Sequence, residues 1–255
     1  MIFNLTSPRG DTLTQFFTVY NKEEIARSFR VYKRDWTFTE KGHVLELEPG
    51  SHPRGCAGWL KVTPQNFTID AKSSQTVRFT MIVPNTSKSG SYWGDIYVEP
   101  AEKPKLASKV ESEGRSLTIF LKIRAKISIN VTVEGDLKRA GEITNVEVTP
   151  GTEETPITVH TTFRNTSNLI LRCKGRVELR DERGETVETL GLGGFKVYPD
   201  GERTIKTQIK NALNHGEYSV LSVVDFDGDY LVAGEAEFEI EKQLLSGETA
   251  RRAEK

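Results

Sequence analysis

Apolar and polar residues alternate with a period of two through nearly the whole chain, in segments rich in Thr, Val and Ile that stop at Gly, Pro, Asn or Asp. Successive side chains of a strand point to opposite faces, so this pattern predicts strands buried on one side. The clearest run goes from Ser116 to Val133, where Leu117, Ile119, Leu121, Ile123, Ala125, Ile127, Ile129, Val131 and Val133 share one parity. Thr118, Lys122, Arg124, Lys126, Ser128 and Asn130 take the other, which predicts one long strand over 116–133. Shorter strands are expected at Leu13 to Tyr20, Ala26 to Tyr32, Gln75 to Val83 and Tyr92 to Val98. Outside the charged tail after Glu241, no stretch of helical period exceeds about two turns.

Glu134-Gly135-Asp136 breaks the pattern, and a second strand series begins at Ile143. It continues through Ile157 to Arg164, Arg176 to Arg180, Thr204 to Ile209, Tyr218 to Asp225 and Glu235 to Ile240, with turn dipeptides at Arg183-Gly184, Asp200-Gly201 and Asp227-Gly228. The expected fold is all-β, two immunoglobulin-like β-sandwich domains in series. The first domain spans 1–133, a linker 134–142 and the second domain 143–242, with a charged, disordered tail over 243–255. Pro100 to Gly114 is rich in Lys, Glu and Ser with little to bury, and reads as a long mobile loop before the long strand.

At 255 residues the chain can build two cores. Its 35 Lys and Arg against 36 Asp and Glu leave a net charge of −1, so no overall field draws it to nucleic acid or an anionic membrane. No apolar run approaches the roughly 20 residues of a membrane-spanning helix. Met1 leads straight into the strand-like Ile2-Phe3-Asn4-Leu5; no signal peptide is present in this chain, as would also hold for a mature chain given an added Met. Cys56 and Cys173 have no second thiol nearby, which excludes a multi-disulfide framework, a CxxC redox pair and a four-cysteine zinc site.

Candidate chemistry is sparse. Asp225, Asp227 and Asp229 have calcium-loop spacing, but Tyr230 stands where the loop needs Gly and Ala236 where it needs Glu, so the segment reads as an Asp-Gly hairpin turn. His52 and Cys56 have metal-ligand spacing for a helix, but Pro53 and Gly55 argue for a loop. None of His43, His52, His160 and His215 sits beside a nucleophile motif, and Gly191-Leu192-Gly193-Gly194 lacks the Lys-Ser or Lys-Thr of a phosphate loop. No cofactor, catalytic residue or metal site is expected. Arg9-Gly10-Asp11 reads as a turn. The Asn-x-Ser/Thr triplets at Asn4, Asn66, Asn85, Asn130 and Asn165 read as strand and turn chemistry more than as glycan sites.

The remaining feature is the long alternating strand behind a polar loop. An over-long strand presents unpaired N–H and C=O groups and can accept an incoming strand by β-augmentation, its Lys and Arg receiving a carboxylate or discouraging wrong pairing. The plain alternative is the last strand of a sandwich whose cations face water. The run Tyr92-Trp93-Gly94-Asp95-Ile96-Tyr97-Val98-Glu99-Pro100, the charged loop and then Leu117 to Ile127 resemble the F and G strands of the first domain of periplasmic pilus-assembly (PapD-like) chaperones. Trp59-Leu60-Lys61-Val62-Thr63-Pro64, Ser74 to Phe79 and Val83-Pro84-Asn85 resemble that domain's middle strands and the turn before F.

The likeness covers about Leu13 to Val133. It implies a two-domain immunoglobulin-like chaperone, without enzymatic activity, that lends its G strand to an incompletely folded pilus or surface subunit in the periplasm or at the cell surface. By that resemblance Leu117, Ile119, Leu121 and Ile123 contact the partner strand, and Lys126, with Arg124 as substitute, anchors the partner's carboxylate. The family's first-strand arginine has no match, since Arg9 falls in the turn after that strand. The second domain resembles generic bacterial envelope β-sandwiches. The alternative function is a structural or adhesive cell-surface component, a filament or peptidoglycan- or partner-binding protein whose long strand pairs with a neighbouring copy.

Overall fold

The computed structural model describes residues 1–39, 42–102, 105–112, 115–121, 123–151 and 155–241. The chain is all-β and divides into two compact units, Met1–Leu137 and the residues from Lys138 onward. The first unit contains β1 (Ile2–Ser7), β2 (Thr12–Tyr20), β3 (Arg27–Phe38), β4 (Val44–Leu47), β5 (Leu60–Thr63), β6 (Asn66–Ile69), β7 (Ser74–Ile82), β8 (Gly90–Pro100), β9 (Lys105–Ser112), β10 (Arg115–Leu121) and β11 (Ala125–Val133). One sheet has the order β1-β11-β8-β3-β4, with β6 also on β3; it faces a second sheet, β2-β7-β5. Between them lies a core of Val77, Phe79, Met81, Ile96, Ile129, Val131 and Val133, all essentially inaccessible to water. Along β7 and β11 these residues alternate with outward polar ones, which makes the pattern readable in the sequence.

The second unit repeats the plan with β12 (Gly141–Thr149), β13 (Thr158–Asn165), β14 (Leu171–Asp181), β15 (Thr186–Gly191), β16 (Phe195–Val197), β17 (Glu202–Gln208), β18 (Gly216–Asp225) and β19 (Val232–Ile240). The sheet β12-β13-β17 faces β15-β14-β18-β19, with β16 on β14. Phe163, Leu171, Leu179, Val220, Val224 and Phe226 fill the space between. Burial of such side chains contributes on the order of 1.5–3 kcal/mol each and is the main force holding either sandwich closed.

Each unit closes one corner with a buried asparagine just where a strand ends. Asn165 donates from Nδ2 to the carbonyls of Leu169 (2.8 Å) and Val197 (2.9 Å), and its Oδ1 accepts from Ser167 N–H (2.9 Å) and Oγ–H (2.7 Å). Asn21 donates to the carbonyls of Ile25, Ile69 and Asp70 and accepts from Glu23 N–H. An amide carries both donors and acceptors, so one side chain satisfies several loop groups that burial would otherwise leave unpaired. With all its polar atoms used and no surface, Asn165 is no glycan acceptor in the folded chain.

Two expectations are corrected. The strand expected over 116–133 is two elements: β10 pairs antiparallel with β9, while β11 lies between β8 and β1 in the main sheet, with Ile123 and Arg124 in neither strand. Unbroken alternation from Leu117 to Val133 tells which residues share a parity; it does not tell which neighbour each stretch pairs with. Likewise the segment expected as a long loop contains β9, whose Leu106 and Val110 alternate weakly among Lys, Ser and Glu and whose stability as a strand comes from backbone pairing to β10. The tail from residue 242 lies outside the described residues. Among the described residues no helix is long and apolar enough to cross a membrane.

Cys56 and Cys173 are free thiols, one in each unit's core, and burial pushes both pKa values up, that of Cys173 to about 12. Both stay as neutral thiols at physiological pH and act as small apolar core residues. Asp225 and Asp227 shape the β18–β19 turn: Asp225 Oδ1 accepts Asp227 N–H at 2.9 Å, and their carboxylates pair with Lys174 and Arg139. Among the described residues no three His, Cys, Asp or Glu side chains are grouped to hold a metal.

Candidate strand-binding edge and its cationic corner

β11 has two sides. Along its full length it pairs with β8, from Ala125↔Val98 to Val133↔Gly90. On the other side β1 runs parallel to it, but only from Ile2↔Ser128 to Ser7↔Val133. Ser128 N–H donates to the Met1 carbonyl at 3.0 Å, so the even-numbered residues of β11 turn their backbone groups toward the β1 side. Ala125, Lys126 and Ile127 precede the residues of β11 that pair with β1. Upstream, β10 pairs with β9 alone among the described residues, and an edge of that kind is what an added strand requires.

The outer face of the same sheet carries an uncommon lining. Along β8 the core-facing Tyr92, Ile96 and Val98 alternate with Trp93, Asp95, Tyr97 and Glu99, and the second set is buried too, at 3–5% exposure for Tyr97, Trp93 and Glu99 and 0% for Asp95. Tyr97 stacks on Tyr32 of β3 with centroids 5.4 Å apart, and Arg30 and Arg34 flank the Tyr32 ring at 5.2 and 5.4 Å. Trp93 donates Nε1–H to the Trp36 carbonyl at 3.0 Å and touches His52. The loop ahead of it is pinned by buried Asp35, which accepts N–H bonds from Gly50 (2.6 Å) and Ala57 (2.9 Å). Gly55 fits beneath this carboxylate only because it lacks a side chain: a Cβ there would lie 2.2 Å from Asp35 Cγ. His52 Nδ1 accepts Arg54 N–H, and burial lowers the His52 pKa, so His52 and Cys56 serve the loop.

Lys126 and Arg124 both come to this face, and both are already paired. Lys126 Nζ lies 3.3 Å from Asp95 Oδ2 and 5.7 Å from the Trp36 ring centroid. Arg124 lies over Tyr97 at 4.3 Å, donates from Nη1 to Tyr32 Oη (3.2 Å) and grips Glu46 of β4 with both ends of its fork, Nη1 to Oε2 at 3.1 Å and Nη2 to Oε1. Tyr32 in turn donates to Glu99, which also accepts from Arg30. Burial, with help from the Glu46 and Asp95 carboxylates, raises the Tyr97 pKa, so its phenol stays protonated.

The two pairs differ in strength. Asp95 is fully buried and its Oδ1 has no hydrogen-bond partner, so taking Lys126 away leaves an uncompensated carboxylate, a loss of about 3–5 kcal/mol in buried pairs. Arg124 and Glu46 keep 42% and 29% of their side-chain surface, and water takes over when such a pair opens, at a cost of about 0–1 kcal/mol.

Leu117, Ile119 and Leu121 lie on β10, with backbone register to Val110, Ser108 and Lys105; their side-chain directions fall outside the described features. Ile123 is 72% exposed, in the connection just before β11. Arg9 sits beyond the far end of β1, donating to Ser89 Oγ at 2.8 Å; Ser7 at that end pairs with Val133, about seven strand residues or about 23 Å along β11 from Lys126. Sequence reasoning missed the acids that hold the two cations, Asp95 and Glu46, and the aromatic bed beneath them. The available signal was Tyr32, Arg34, Trp36 on one strand and Trp93, Asp95, Tyr97 on another at period two, the latter opposite Tyr92, Ile96 and Val98.

Fold and site define an all-β chain of two sandwiches whose first unit carries two paired cations on one sheet face. Solved structures to which the chain is similar include the class 5 fimbriae chaperone CfaA, at TM-score 0.47 and 14% identity over 91% of this chain and 94% of that chain. Others are the CsuC–CsuE chaperone–tip adhesion subunit pre-assembly complex of Acinetobacter baumannii Csu pili (0.43, 10%, 91% and 93%) and the E. coli chaperone DraB (0.39, 13%, 93% and 94%). No protein-family model and no curated protein sequence matches the chain.

Proposed function

We propose that this chain is a non-enzymatic, chaperone-like protein of the periplasm or cell surface that binds an extended strand of a pilus or surface subunit by strand addition. The observation that carries the reading is the β9–β10 hairpin, in which β10 pairs with β9 alone among the described residues, followed in the chain by two cations on one sheet face. In this reading the partner's strand pairs with the side of β10 away from β9. Leu117, Ile119, Leu121 and Ile123 supply apolar side chains to the partner, and Lys126 and Arg124 form the corner that receives its terminal carboxylate.

The test is co-purification from native envelope extract with wild type and with an Ile119→Asp, Leu121→Asp variant whose thermal melt matches wild type. The expected result is a small β-rich subunit with an alternating terminal strand, held by wild type and reduced about tenfold or more in the variant, as loss of two apolar anchors implies. Equal recovery by both proteins sinks the reading. Recovery of copies of the chain alone replaces it with a self-associating surface component.

A further inference from the structure

We propose that β2 pairs antiparallel with β2 of a second copy of this chain, about a two-fold axis at Phe16, so that the first units of two copies share one sheet in the order β5-β7-β2-β2-β7-β5. β2 stands at the end of its sheet, and among the described residues only β7 pairs with it. Just outside the strand, Val83 N–H donates to the Asp11 carbonyl and Asn21 N–H to the Ser73 carbonyl, both at 2.9 Å, so the odd-numbered residues bond toward β7. Thr12, Thr14, Phe16, Thr18 and Tyr20 therefore turn their N–H and C=O groups to the open side. This edge lacks the charges, prolines and bulges that keep edge strands single. Its nine residues, Thr-Leu-Thr-Gln-Phe-Phe-Thr-Val-Tyr, contain no charge, Pro or Gly, and their register to β7 is unbroken from Thr12↔Ile82 to Tyr20↔Ser74. Other sheet ends are guarded: β12 has Glu142, Glu147 and a bulge, β15 has Glu188 and a bulge, β17 has Glu202, Arg203 and Lys206, and β19 has Glu235, Glu237 and Glu239. β4 and β5 have only four residues each, and β1 has six and runs into Pro8.

The occupant follows from the order of side chains on β2. Antiparallel pairing about Phe16 sets Phe16 beside its own copy, Thr14 beside Thr18, Thr12 beside Tyr20 and Leu13 beside Val19. Aromatic meets aromatic, threonine meets threonine and aliphatic meets aliphatic, and with no charge on the strand nothing repels. The residues this register joins by hydrogen bonds, Thr12, Thr14, Phe16, Thr18 and Tyr20, are the ones whose backbone groups face the open side. The pairing also covers apolar surface: Phe16 and Tyr20 are 57% and 67% exposed on the outer face of the sheet, and at the axis one Phe16 ring lies against the other. A two-fold contact uses the edge on both copies, so the assembly closes at two chains. β2 and β10 belong to different sheets, and this pairing does not use the side of β10 proposed for a subunit strand.

The experiment is sedimentation velocity of the full chain over rising concentration, joined to a disulfide test of register. The average mass is expected to climb from one chain toward two. Phe16→Pro removes an N–H that faces the open side, so its thermal melt should stay near that of wild type. The concentration at half-association should rise about tenfold or more, because both central hydrogen bonds are lost. Phe16→Lys sets like charges face to face at the axis and should shift it in the same direction with the backbone unchanged. In Phe16→Cys, mild oxidation should link two chains, since directly opposed residues of a hydrogen-bonded pair stand about 5.5 Å apart, within disulfide reach. Thr14→Cys should not link, because its copy lies about four residues, or roughly 13 Å, along the strand. Cys56 and Cys173, both buried, take no part. The proposal is overturned by a single-chain mass at about 1 mM, by association that Phe16→Pro and Phe16→Lys leave unchanged, or by equal linking at positions 14 and 16. Association that persists in Phe16→Lys and disappears in the Ile119→Asp, Leu121→Asp variant would place it on β10 and overturn it as well.

Discussion

Lys126→Met should destabilise the first unit by about 3 kcal/mol, while Arg124→Met should change it by less than about 1 kcal/mol, although both remove one cation from the same sheet face. The difference comes from the acids left behind. Asp95 is inaccessible and has one oxygen unpartnered even with Lys126 present, whereas Glu46 reaches water. The exposed half of the Lys126 side chain lets some water follow, which places the expected loss at the lower end of the range for buried pairs. Urea unfolding of the two variants measures it, and Asp95→Asn combined with Lys126→Met should recover much of the loss because no charge is then stranded. Equal midpoints for the two single variants would show that Asp95 does not depend on Lys126.

The second large effect is in the other unit. Asn165→Ala should cost the second sandwich about 2–4 kcal/mol, since it removes four hydrogen bonds and leaves the Val197 carbonyl buried without this donor, such a group costing about 1–3 kcal/mol, while the Leu169 carbonyl keeps Ser167 Oγ–H at 3.1 Å. Asn165→Asp keeps the acceptor for Ser167 but turns a charge toward two carbonyls, so it should be no milder. Exposed Asn145→Ala serves as a comparison and should be nearly silent. Because the chain forms two compact units, the shift should appear in the transition reported by the second unit while that of the first stays where it was. An unchanged midpoint for Asn165→Ala would remove the corner role assigned to this side chain.

What the sequence made legible follows a physical division. Where one parity of a strand is apolar and the other polar, as in Val77, Phe79 and Met81 against Thr76, Arg78 and Thr80, burial and pattern coincide, and both sandwiches could be expected from it. Where both faces are buried, the pattern goes quiet: β8 shows Trp93, Asp95 and Tyr97 between Tyr92, Ile96 and Val98, and nothing local says that the polar members face an aromatic bed on β3. Pairing partners are further out of reach. The alternation through Leu121, Ile123, Ala125 and Ile127 continues smoothly across the place where the chain leaves one hairpin and joins another sheet, because side-chain parity is set within a strand and pairing is set between strands. The cations were found and their acids were not for the same reason: Lys126 meets Asp95, and Arg124 meets Glu46, only after four strands have been laid side by side.

The central claim is that a partner strand is added to the side of β10 that no strand pairs with among the described residues. Amide hydrogen exchange along Arg115–Leu121, followed by NMR in the free chain and in complex with the captured subunit, tests it at the bonds concerned. The free edge amides should exchange readily, and their protection should rise by about tenfold or more in the complex, together with alternate amides of one subunit strand. A bound subunit that leaves β10 exchanging as in the free chain would contradict the account, because the subunit would then be held by some other surface.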